Sequence, residues 1–151
     1  MNLKDPVIAT YAISASIMLL KIMGQGWITV YRMMKVGGGF LNPEDKNKGL
    51  ANPKPRPGQL DADDYVERSR RMHRNDVENI LPFLGAGLLF ALTNPPLLAA
   101  QMLLYGFILA RAGHFIAYIN GWSHEIRATF FTIGSIIIIG MAIYTIIHTI
   151  A

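Results

Sequence analysis

Four hydrophobic blocks run along the chain, each read against the about 20 apolar residues needed to cross roughly 30 Å of hydrocarbon. The first extends from Val7 to about Tyr31, interrupted by Lys21. The second is Val77 to Leu92, and the third, Pro96 to Ile119, contains Arg111 and His114. The fourth, Ala128 to Ile147, carries no charge. The pattern predicts an all-α membrane protein, a four-transmembrane-helix bundle, as a single domain over 1–151. Its helices are expected over about 7–33, 66–92, 96–119 and 124–149.

The second block is too short alone. Its sixteen residues cover about 24 Å at 1.5 Å per residue, less than the hydrocarbon thickness. The missing turns come from Arg71 to Asp76. In the third block only about fourteen residues precede Arg111, so Arg111 and His114 also fall at membrane depth. Polar groups placed there are costly and face a bundle interior or a wet cavity.

Between the first two blocks lies a segment rich in Gly, Pro and charge, a surface loop over about 36–62. Its Gly37-Gly38-Gly39 run reads as a flexible connector. It is not a phosphate loop, because no strand or Lys-Ser/Thr accompanies it. Thr93 to Pro96 and Asn120 to Ser123 are turns, and Pro82 is expected to kink the second helix. Arg32 to Arg74 hold ten of the fourteen Lys and Arg residues. The positive-inside rule therefore puts the first and third loops in the cytosol and both termini opposite, with Trp27 and Trp122 near the cytosolic interface.

That topology gathers polar residues from four stretches at one end of one bundle. Arg71, Arg74, Asn75 and Glu78 stand at i, i+3, i+4 and i+7, one stripe of a helix. Arg111, His114 and Tyr118 form another stripe; Arg32 ends the first helix and Arg127 opens the fourth. Pairing, for example of Glu78 with an arginine of the third helix, offsets part of the burial cost. Arginine still exceeds carboxylate, which favours an anion near the helix N-termini. Guanidinium groups bind carboxylates through paired hydrogen bonds, and Glu78 suits a ligand ammonium. The pattern fits a small zwitterionic ligand of net negative charge. Arg68 and Arg70 read as lipid-headgroup anchors. Lys21 is either interior-facing or snorkelling.

Composition narrows the class. Hydrophobic residues make up 52% and charged residues 16%, and the apolar positions come in long blocks that a soluble core of this size does not need. The formal net charge of +4 is modest, and no aromatic-interleaved basic face for nucleic acid stands out. With no cysteine there is no disulfide framework, thiolate metal site or protein thiol nucleophile. His124 and His148 lack partners at ligand spacing, so no metal is expected. The first apolar run is longer than a typical signal-peptide core, so no cleavable signal is expected.

The segments FLNPED, VERSRRMHRNDVENILPFLGAGLLF and ARAGHFIAYI resemble the membrane-associated proteins of eicosanoid and glutathione metabolism, over essentially the whole chain. The resemblance implies a homotrimer that binds glutathione between neighbouring protomers near the cytosolic face. Arg71, His73, Asn75, Glu78 and Tyr118 match family glutathione contacts. Arg74 and His114 match contacts in the prostaglandin E synthase of the family, and Arg127 matches the arginine that stabilises the glutathione thiolate. Arg32 matches the arginine ending the first helix, although two extra residues separate it from the NPED motif here.

The implied activity is glutathione transfer to hydrophobic electrophiles, with peroxidase activity on lipid hydroperoxides. No metal is involved, and the implied location is the endoplasmic reticulum or the mitochondrial outer membrane. The alternative is a glutathione-dependent prostaglandin E synthase. Ala128 and Phe131 replace the serine and tyrosine of the synthase pattern and favour the transferase, whereas Arg74 is synthase-like. Lys46 stands where the mammalian transferases carry a regulatory cysteine, so activation by thiol modification is not expected. A non-catalytic lipid-binding member and an ion-relay transporter are the further alternatives.

Overall fold

The computed structural model describes residues 2–150. Four long helices order the chain: α1 (Pro6–Val36), α2 (Asp64–Leu92), α3 (Leu97–Ile119) and α4 (His124–Ile150). No strand occurs among the described residues. The expected loop between α1 and α2 contains one short 3-10 turn, Pro43–Lys46, built on the NPED motif.

The helix starts follow from local chemistry. Asp5 Oδ1 accepts from the backbone N–H groups of Val7 and Ile8 at 2.9 and 3.0 Å, with Pro6 as the first helical residue. Asp63 Oδ1 does the same for Tyr65 and Val66 at 3.0 and 3.1 Å. Each carboxylate satisfies donors that an α-helix leaves open at its first turn. At the other end of α1, the Gly38 N–H returns to the Met33 carbonyl at 3.2 Å, with Gly37 at φ 60°. A left-handed glycine with this bond closes the helix and turns the chain.

Helices α1, α3 and α4 are each long and apolar enough to cross a membrane; α2 is not among them. Its 29 residues extend about 43 Å, but its first half carries four of the chain's eight arginines. Pro82 lies inside α2, which continues to Leu92.

The buried face of α2 runs through Val66, Ser69, Met72, Asp76, Ile80, Phe83 and Phe90. Those steps of three, four and seven residues trace one side of a helix. The arginine stripe lies elsewhere: Arg71, Arg74 and Glu78 are exposed and Asn75 is half-buried. At 100° per residue, Asp76 stands about 140° around the helix from Arg71 and about 200° from Glu78.

The chain groups into two compact units. One comprises the chain up to Lys21 together with everything from Asp76 onward; the other is Ile22–Asn75.

In the first unit α3 packs against α4. The Phe83 and Phe107 rings stack with centroids 4.0 Å apart. The close approach of α4 to α3 needs Gly113, because a methyl group there would overlap the Phe130 ring. The Tyr11 hydroxyl donates to the Leu84 carbonyl at 2.9 Å, tying α1 to α2. The outer side of α4 presents Ile136, Ile139, Ile143 and Ile147, all exposed. Such a row suits hydrocarbon.

In the second unit the Ser69 hydroxyl receives Gln25 Nε2 at 3.0 Å and meets the Thr29 hydroxyl at 2.8 Å. Here the loop departs from the flexible connector expected from its glycines. Asn52 and Gln59 are buried and exchange side-chain amide bonds at 2.8 and 3.0 Å. Gln59 also donates to the Gly37 carbonyl at 3.1 Å, and Arg56 donates to Val36 O at 2.5 Å. Paired amides satisfy the loop's polar groups internally, which fixes a segment without periodicity.

Candidate functional site

The first unit brings together three of the expected site residues. His114 is buried on α3, and its ring lies 5.2 Å from that of Tyr118, one turn further on. The Arg127 guanidinium, near the start of α4, stands over the Tyr118 ring at 4.7 Å. It also donates from Nε to the Ser123 carbonyl at 3.4 Å. The result is a row of His114, Tyr118 and Arg127 where α3 ends and α4 begins. A cation on an aromatic face keeps its charge while shedding part of its water.

Beneath that row is an ion cluster. Arg111 is fully buried and donates from Nη2 to Asp76 Oδ1 at 2.5 Å. The second oxygen of Asp76, itself 2% exposed, accepts from Lys21 Nζ at 2.5 Å. Arg111 Nη2 also lies 3.4 Å from His114 Nδ1. Thus α1, α2 and α3 each contribute one charge to a shared interior network. The Lys21 ammonium also stands 5.1 Å from the Phe115 ring centroid. Of its two sequence readings, interior-facing is the one observed.

This cluster corrects the sequence reading at one point. The carboxylate that meets the α3 arginine is Asp76, while Glu78 is exposed on nearly the opposite side of α2. Glu78 instead borders a groove of about 300 Å³ with Asn79, Pro82, Phe131 and Ser135. Arginine spacing alone does not point to Asp76. Its signal was present: it falls in register with the apolar positions Met72, Ile80 and Phe83.

The second unit holds the remaining candidates. Arg32 is buried and donates from Nη1 to the Tyr65 carbonyl at 2.9 Å, with its guanidinium 4.2 Å from the Tyr65 ring centroid. Arg71 and Arg74 are exposed on α2. His73 is half-buried, and its Nδ1 has no hydrogen-bond partner among the described residues. Together with Gly26, Thr29, Val30, Arg70 and Arg74 it lines a groove of about 350 Å³. Arg70 is no headgroup anchor. It pairs with Glu67 and donates to the Gly39 carbonyl at 2.5 Å, pinning the loop to α2.

Three apolar helices of spanning length, two of them joined through Asp76 of α2 by a buried charged network, define an integral membrane protein. The sequence profile of the MAPEG family matches residues 10–147, and the chain belongs to that family. It is 40% identical over 142 residues to microsomal glutathione S-transferase 1 of Homo sapiens, covering 91% of this chain and 88% of that protein. Identity to the Bos taurus protein of the same name is 38% over 141 residues, covering 93% and 89%. A more distant relative, prostaglandin E synthase of Homo sapiens, is 30% identical over 142 residues, covering 93% and 89%.

Proposed function

We propose that this protein is a membrane-bound glutathione transferase that conjugates glutathione to hydrophobic electrophiles. The observation that carries the reading is the Arg127–Tyr118–His114 row, in a chain whose relatives at 38–40% identity are named as glutathione S-transferases. In this reading α2 is the fourth membrane span, and three copies of the chain assemble with glutathione between neighbours. Arg32, Arg71, His73, Arg74, Asn75, Glu78, His114 and Tyr118 contact the tripeptide. The exposure of Arg71, Arg74 and Glu78 in the single chain supports a shared site, because a ligand or second copy can still reach them.

The chemistry needs no protein nucleophile. The Arg127 cation favours the charged form of the glutathione thiol and so lowers its pKa. The thiolate then attacks an electrophilic carbon arriving from the bilayer, and a carbon–sulfur bond forms. In aromatic substitution the leaving group departs with its electron pair; in conjugate addition the product takes up a proton. Toward lipid hydroperoxides, two glutathione molecules supply two electrons, giving an alcohol, water and glutathione disulfide. The endoplasmic reticulum and the mitochondrial outer membrane are the proposed locations.

The test is a titration of detergent-purified protein with glutathione, followed by thiolate absorbance. Arg127→Ala should remove the absorbance while leaving much of the tripeptide affinity. An unchanged signal would take the thiolate role away from Arg127. The second reading, a glutathione-dependent prostaglandin E synthase, is favoured by Arg74 and by the 30% identical relative of that name. Isomerisation of an endoperoxide without conjugating activity would establish it instead.

A further inference from the structure

We propose that Asp76 is a positioning residue for glutathione recognition: through Arg111 it fixes the orientation and tautomer of the His114 ring. The inference rests on the transferase reading above and adds a residue and an internal line of contacts to it.

The geometry runs in one direction. Asp76 uses one carboxylate oxygen for Lys21 and the other for Arg111, each at 2.5 Å. With both oxygens engaged and the side chain only 2% exposed, the carboxylate has no alternative partner in solvent. Arg111 is fully buried, so its planar fork is held by this ion pair as well as by packing. The nitrogen that donates to Asp76 is also the one 3.4 Å from His114 Nδ1.

A guanidinium carries donors and no acceptor. His114 Nδ1 is therefore the acceptor, and the imidazole proton resides on Nε2. That leaves His114 with one N–H donor, the form suited to a ligand carboxylate or carbonyl. The ring in turn sits against Tyr118, over which Arg127 stands. Asp76 touches no ligand in this arrangement. It acts by removing the freedom of Arg111 to swing away from His114.

Two features set this apart from general structural support. First, Lys21 already supplies one cation to Asp76, so the carboxylate would stay paired without Arg111. Second, the line ends on a proposed ligand contact and not on an apolar neighbour.

The experiment is a double-mutant cycle on the full-length protein in detergent, reading glutathione affinity by equilibrium titration and thiolate absorbance at saturation. Asp76→Asn should raise the glutathione Kd roughly 2- to 30-fold, the range seen for residues that act through others. The saturating thiolate signal should persist, since Arg127 is untouched. In a His114→Ala background the same substitution should cost nothing further, because the residue it acts through is gone.

An unchanged Kd for Asp76→Asn, or equal losses in both backgrounds, overturns the proposal. If Asp76→Asn does not yield folded protein, Arg111→Lys replaces it. That variant keeps a cation for Asp76 but its side chain ends one atom short of Nη2, the nitrogen that reaches both Asp76 and His114, and it should show the same dependence on the His114 background. Failure of the wild-type protein to bind glutathione would overturn the transferase reading and this inference with it. Binding with additive losses overturns the inference alone.

Discussion

Arg111 and Asp76, 35 positions apart in sequence, meet at 2.5 Å with both side chains withdrawn from solvent. The pair joins α3 to α2, and Lys21 brings in α1. Two cations on one carboxylate leave the cluster with a formal charge of +1 in the interior of a membrane protein. Such an arrangement is weak ground for claiming net stability, because desolvation offsets much of the attraction. It is strong ground for expecting damage when one member is removed.

Asp76→Ala should therefore destabilise the protein by about 3–5 kcal/mol, the cost of leaving buried cations without their anion. Thermal unfolding in a fixed detergent, compared with wild type, measures it. A matching unfolding midpoint would mean that water reaches the cluster and replaces the carboxylate.

Glu78→Gln should separate binding from folding. Its side chain is exposed, so the change in stability should stay within about 0.5 kcal/mol. Glutathione affinity, however, should fall by about 1.5–3 kcal/mol if the carboxylate holds the ligand ammonium. Undiminished affinity in calorimetric titration would remove Glu78 from the contact set.

Gly113→Ala tests the approach of α3 to α4. A methyl group there overlaps the Phe130 ring, and overpacking of this kind costs about 1–3 kcal/mol. Adding Phe130→Leu should restore part of the loss. Equal unfolding midpoints for the single and double variants would show that the ring moves aside freely.

Arg70→Ala addresses the loop. Losing its charged bond to the Gly39 carbonyl should cost roughly 1.5–3 kcal/mol locally, with the half-buried Glu67 pair lost as well. Limited proteolysis should then cut the 36–62 segment faster, while the buried α3–α4 contacts stay protected. Identical cleavage rates would assign the loop's order to the Asn52–Gln59 amides and the Arg56 and Gln59 bonds to the end of α1.

Sequence by itself determined the helices and the family. Hydrophobic block length and the Thr93 to Pro96 turn before α3 are local signals, readable because helix formation depends on near neighbours. The stripe at Arg71, Arg74, Asn75 and Glu78 was likewise legible from helical spacing, and it does share a face of α2. Which face that is was not legible. Spacing says which residues stand together, whereas burial depends on what packs against them.

Tertiary structure decided the rest. It turned Asp76 inward and Glu78 outward, gave Lys21 a partner on another helix, and laid Arg127 over Tyr118. It also ordered a glycine- and proline-rich loop through the Asn52–Gln59 pair and the Arg70–Gly39 bond. These contacts join residues on different elements, and apart from the register of Asp76 with Met72, Ile80 and Phe83 none leaves a periodic trace. Their physical basis is shared: a polar group withdrawn from water must find its partner wherever the fold brings one near.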